Sequence, residues 1–259
     1  MNNDHPSLKN WHILALLASV AFILTYQYIQ IIELPLIEAR RQIHLQILSG
    51  TAEMPYQSRL LAPYLAALFE KLFKIILGGD TFWLGYACYD ILAIFLSLST
   101  LFAVLRLWFD RPISLIGTLI AALSMLVGFR DHYFQPWSLL EPAILAAGLC
   151  LIAKKKFLPL AFLIAIGTLN RETTLLLVFA SFLVWMPLPK FWQAFQKSFG
   201  KQWQKSLILL LIWCIVFGTL AWIYRDLPRT ISLSQILDKN LEPANLRLTI
   251  HQWILFGGV

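Results

Sequence analysis

The sequence predicts an all-α fold: a polytopic membrane bundle of about seven transmembrane helices, with a long outer first loop that carries an interfacial helix. Three observations predict it. Of 259 residues, 59% are hydrophobic and only 14% charged, against about 45–50% and about 25% in soluble domains. The mean hydropathy is +0.68. Apolar runs long enough to cross roughly 30 Å of hydrocarbon, about 20 residues as helix, recur along the chain. Twelve Gly, twelve Pro and 14% aromatic residues exclude a disordered or fibrous chain.

The first run, near 12 to 33, is too long for a secretory h-region and leads into Tyr26, Gln27, Tyr28 and Gln30 instead of a small-residue cleavage site. It reads as an uncleaved anchor. Residues 60 to 78 mix Glu70, Lys71 and Lys74 with Leu65, Leu68, Phe69, Leu72, Phe73 and Ile76 at helical spacing, a pattern that either lies in the interface or crosses. Further spans are expected near 81 to 105, 112 to 129, 138 to 153 and 206 to 224. The stretch from 157 to 188 would be about 48 Å long as one helix. Gly167, Thr168, Asn170, Arg171 and Glu172 interrupt it, so two short spans meeting at a polar break are expected. The Lys-rich segment at 191 to 205 reads as an amphipathic anchor on the inner face.

Charge decides the order of crossings, because short cytoplasmic loops collect Lys and Arg. With 60 to 78 interfacial, Lys9, Arg106, Arg111, Lys154, Lys155, Lys156, Lys190, Lys197, Lys201 and Lys205 fall on one side. These ten are opposed only by Asp4 and Asp110, a net of +8. The other side carries eleven basic and eleven acidic residues, and Asp90 within a span closes the sum at the chain's +7. A helix crossing at 60 to 78 would scatter the basic segments over both faces. Seven spans follow, with the N-terminus inside, the C-terminus outside, and any site extracytoplasmic. The basic balance thus reports sidedness and membrane lipid as partner, with no nucleic acid implied. Cys88, Cys150 and Cys214 lie in apolar runs and indicate neither disulfides nor a thiolate metal site.

Four groups of residues carry potential chemistry. In the first outer loop, Arg40 and His44 share one helical face and Glu38 lies one turn before Arg41. Guanidiniums bind phosphate bidentately and a carboxylate can take a proton; a solvated loop helix explains the same spacing. Arg59, after Pro55, Tyr56 and Gln57, either contacts a lipid phosphate or snorkels. In the second outer loop Asp131 and His132 precede Glu141, a carboxylate a few residues into an apolar span. Asp131 and His132 are the candidate ligands for a divalent ion such as Mg2+ or Mn2+, two donors without a third. Asn170, Arg171 and Glu172 sit between two apolar halves and either line a cavity or form a structural ion pair, with Asp90 as a further partner.

The order of parts resembles the GT-C superfamily of integral-membrane glycosyltransferases: one span, a long outer loop with acidic residues and a surface helix, then spans whose second outer loop also carries acid. The strings H-x5-G at 44 to 50, PYQSRLLAP at 55 to 63 and NRET at 170 to 173 are similar to those of bacterial proteins of this type. The resemblance covers the whole chain as a single transmembrane domain, 1–259, which stops partway into an apolar run as a truncated or minimal copy would. It implies transfer of a sugar from a lipid-linked, polyprenyl-phosphate donor on the outer face to a lipid, glycan or protein. It further implies Glu38 and Asp131 as catalytic acids, Arg59 and Arg171 as phosphate holders, with Glu172 orienting Arg171. The family's Asp just after the first span is missing here; Glu33 and Glu38 stand in its place. A transporter or flippase, and a non-catalytic scaffold subunit, are the readings from other classes.

Overall fold

In the computed structural model, residues 10–129, 135–185 and 199–228 are described, and all regular elements among them are helical. They are α1 (Asn10–Tyr28), α2 (Ile37–Ser49), α3 (Leu61–Leu77), α4 (Phe82–Leu105), α5 (Arg111–Phe129), α6 (Trp137–Ala153), α7 (Phe157–Asn170), α8 (Leu175–Trp185) and α9 (Phe199–Ile223). A π-turn, Ile29–Glu33, extends α1. Three helices are long and apolar enough to cross a membrane: Asn10–Glu33, Phe82–Leu105 and Trp203–Ile223. Four shorter apolar helices, Arg111–Leu126, Trp137–Ala153, Phe157–Asn170 and Glu172–Trp185, lie where the remaining spans are expected.

α4 is central and touches α1, α3, α5 and α6; α6 then carries α7 and α8, on which α9 packs. The sequence builds this arrangement from single stripes. On α1 the buried residues Ile13, Leu17, Ala21, Leu24 and Tyr28 recur every three or four positions, which is one helical face. Phe22 and Ile23 on its opposite side are exposed, as are Ile116, Ile120 and Leu123 on α5 and Leu211 and Ile215 on α9. An apolar outer surface of this extent suits a lipid surround.

The helix ends sort into two groups. At one end, Arg111 at the start of α5 hydrogen-bonds Asn10 at the start of α1, and the turn carrying Lys154, Lys155 and Lys156 joins α6 to α7. This is the basic end. At the other, the loop end, lie α2, α3 and the starts of α4 and α6. Tyr89 on α4 donates from its hydroxyl to Pro136 O at 2.9 Å.

α7 and α8 each run the length of α6. Asn170, closing α7, donates from Nδ2 to Trp137 O at the start of α6, 2.9 Å away, and Trp185, closing α8, donates from Nε1 to Ile152 O near its end, at 3.0 Å. The expected polar break is therefore a reversal at the loop end. Arg171 adopts extended backbone and a 3₁₀ turn, Glu172–Thr174, starts the next helix.

α3 packs against the loop end of α4. Thr81 donates to Glu70 O at 3.0 Å, and a Cβ at Gly85 would meet Ala66 O at 2.7 Å. Only glycine permits so close an approach. α3 also touches α2, α6 and α7, while Leu72, Ile75, Ile76 and Leu77 at its far end are exposed. Of the segment read as an inner anchor, 191–198 lies outside the described residues and the rest continues into α9.

Candidate functional site

Two polar clusters form at the loop end. The first gathers around Trp137. The loop that delivers Arg59 to it is pinned by Gln57, fully buried, which donates from Nε2 to Ile47 O at 3.1 Å and accepts from Ala52 N at 3.0 Å. Met54 N donates to Pro228 O at 3.0 Å, tying this loop to the chain beyond α9. Arg59 is thereby held inside, 7% exposed, with its guanidinium 4.9 Å from the Trp137 ring. Tyr56 packs on the same ring at 5.7 Å.

The reversal between α7 and α8 supplies the other charges. Arg171 Nη1 reaches Glu141 Oε2 at 2.6 Å and Ser138 Oγ at 3.4 Å. Thr173 donates to the second oxygen of Glu141 at 2.5 Å. Glu172 Oε1 lies 3.6 Å from Arg59 Nη2. Two guanidiniums thus alternate with two carboxylates across three chain segments. Burial lowers the Arg59 pKa from its ordinary value, and the charge of Glu172 works against that. The Nε atoms of Arg59 and Arg171 are buried without an acceptor among the described residues. A 3.6 Å contact is well beyond the roughly 2.7–2.9 Å of a charge-assisted hydrogen bond, and Glu172 is 42% exposed. Of the two guanidiniums, Arg59 is therefore the less tightly held by its carboxylate.

The second cluster fills the space between α1, α2 and α4. Arg40 and His44 do share one face of α2, and that face is buried. Arg40 forms an ion pair with Glu33 of the π-turn, and its guanidinium stands 3.9 Å over the Tyr86 ring. His44 Nδ1 is 2.9 Å from the Tyr86 hydroxyl. Burial, aided by the charge of Arg40, pushes the His44 pKa down to about 4, so the imidazole is neutral at physiological pH. Asp90 lies in this cluster, under the field of Arg40, and not with Arg171.

The opposite face of α2 is exposed. Arg41 Nη2 meets Asp80 Oδ2 at 2.6 Å and stacks 4.8 Å from Phe82. This contact holds the Asp80 carboxyl below its usual range and raises Arg41. Glu38 is exposed beside Arg41 and acts on it electrostatically. Asp131 and His132 lie outside the described residues. Among the described residues no group of three or more His, Cys, Asp or Glu could hold a metal ion.

Several sequence expectations thus change partners. Glu172 pairs with Arg59 and leaves Arg171 to Glu141. In the first loop Glu33 is buried and Glu38 is exposed. Arg40 and His44 are engaged inside the bundle and are separate from Arg59 and Arg171. Trp137, Tyr86 and Asp80 were not singled out by the sequence; the signal for Glu141 was its cost inside an apolar span. Comparison with protein families, curated proteins and solved structures finds no match to this chain. The likeness to GT-C enzymes rests on the order of parts and the short strings alone.

Proposed function

We propose that this chain is a multi-pass protein of a bacterial cell membrane that transfers a sugar from a polyprenyl-phosphate donor, with the loop end outside. In this reading the seven apolar helices all cross, the N-terminus is cytoplasmic, the C-terminus is extracytoplasmic, and α3 lies in the outer interface. The observation that carries the reading is the convergence of Arg59 and Arg171 beside Trp137 where the bundle ends. The Arg59 guanidinium against an aromatic ring, with the charge of Arg171 acting on it, suits a phosphate that arrives attached to an apolar chain.

The chemistry follows from charge. Glu38 or Asp131 takes the proton of the acceptor hydroxyl as that oxygen bonds to the anomeric carbon. The bond from that carbon to the phosphate oxygen breaks, and Arg59 and Arg171 stabilise the charge that develops on the leaving phosphate. Glu172 gives up its long contact to Arg59 as the phosphate enters. A Mg2+ or Mn2+ ion at Asp131 and His132 belongs to the same proposal.

The test is transfer of labelled sugar from polyprenyl-phosphate donors by membranes containing the chain. Arg59→Ala and Arg171→Ala should each reduce transfer by about a hundredfold or more, and Glu38→Gln or Asp131→Asn should do the same for the base. Membranes that transfer no more than vector controls, or activity indifferent to Arg59→Ala, would remove the proposal and leave a transporter or scaffold.

A further inference from the structure

Asp90 is fully buried on α4, and neither carboxylate oxygen has a hydrogen-bond partner among the described residues. Such a group is rare inside a protein and strongly destabilising when ionised and uncompensated. The titratable groups around it among the described residues come from three elements. Tyr28 and Glu33 come from α1 and its π-turn, Arg40 and His44 from α2, Tyr86 and Tyr89 from α4 itself. Glu70 of α3 acts on Tyr86 and Arg41, Glu141 of α6 belongs to Arg171, and the charged Arg111 of α5 sits at the far end with Asn10. His44 is neutral. Among the described residues the one cation here is Arg40, already in an ion pair with Glu33. Two described carboxylates therefore face one described guanidinium, which leaves these groups one positive charge short.

We propose that this cluster binds a single monovalent cation, H+ or Na+, at the Asp90 carboxylate. Occupied, the group of Glu33, Arg40 and Asp90 is neutral. Empty, it carries one buried negative charge and Asp90 competes with Glu33 for Arg40. Cation binding is thereby coupled to how α1, α2 and α4 are held together at the loop end, independently of Arg59 and Arg171.

The experiment uses the purified full-length chain in detergent, with the thermal midpoint as readout. One arm varies pH in choline chloride above about pH 7, where a histidine is neutral folded or unfolded. The other exchanges choline for Na+ at constant pH and ionic strength. A midpoint that falls as pH rises, with no Na+ effect, identifies H+; a midpoint raised by Na+ identifies Na+. Asp90→Asn and Glu33→Gln each leave Arg40 with one carboxylate, so each should abolish the dependence. The double variant leaves Arg40 with none and should lose more than the two single losses together. Should Asp90→Asn fail to fold, Glu33→Gln still decides, because it keeps Asp90. A wild-type midpoint indifferent to both cations, or a dependence that persists in Glu33→Gln, overturns the proposal.

Discussion

Glu172 pairs with Arg59, 3.6 Å away, and not with its chain neighbour Arg171, whose guanidinium reaches Glu141 at 2.6 Å. The two pairs differ in kind. Arg171 and Glu141 are 27% and 17% exposed, and Thr173 holds the remaining Glu141 oxygen, so this pair ties the α7–α8 reversal to α6. Arg171→Ala and Glu141→Gln should each lower the thermal midpoint, and a double-mutant cycle should give a coupling of roughly 1–3 kcal/mol. The looser Arg59–Glu172 contact should couple more weakly. Equal coupling for both pairs would contradict the view that Arg59 is the less tightly held of the two.

The reversal also depends on a missing side chain. A Cβ at Gly167 would come 2.6 Å from Thr174 Cγ2 and 2.8 Å from Ile144 Cγ2, with α7 already against α6 and the 3₁₀ turn. Gly167→Ala should therefore cost roughly 1–3 kcal/mol. Thr174→Ser deletes the nearer methyl while keeping the hydroxyl that meets Thr168 Oγ1 at 3.0 Å. Combining the two should restore part of the loss in midpoint; no recovery would mean that the close approach is not what requires glycine.

Helix positions were legible in the sequence because they depend on local apolar periodicity. The runs near 81 to 105 and 112 to 129 match α4 and α5 to within a residue, and the polar break at 167–172 does interrupt the helix. Pairing was not legible, because it is set by tertiary approach. Arg40 and His44 share a face by helical geometry, but only packing of α2 against α4 makes that face the buried one. The partner of Arg40 is Glu33, beyond the turn at Leu34 and Pro35, and the partner of Arg59 lies past five intervening helices in the chain. Spacing rules for a single helix reach neither.

His44 gives the fold a pH dependence of known sign. Its folded pKa is about 4, against about 6.5 when unfolded. Between these values the unfolded chain binds a proton that the folded chain does not. The His44 contribution is therefore complete above about pH 6.5 and falls as pH drops toward about 4, by roughly 3 kcal/mol over the window. His44→Gln keeps a hydrogen-bonding group opposite the Tyr86 hydroxyl and cannot titrate, so the wild-type midpoint should fall relative to that of His44→Gln across this range. A constant difference between the two midpoints would show that the imidazole is not held neutral.

The two groups of helix ends make the topology directly testable. Thr51 and Asp226 are exposed at the loop end, where Met54 N meets Pro228 O, and Lys154 is exposed at the basic end. In a background lacking Cys88, Cys150 and Cys214, single cysteines at these positions can be challenged with a membrane-impermeant thiol reagent. Lys and Arg favour the cytoplasmic side, so Thr51→Cys and Asp226→Cys should label in intact cells and Lys154→Cys only after lysis. Labelling of Thr51→Cys and Lys154→Cys from the same side would break the seven-crossing arrangement. With it would go the outer-face location of Arg59 and Arg171, because α6 would no longer separate the two ends by a membrane.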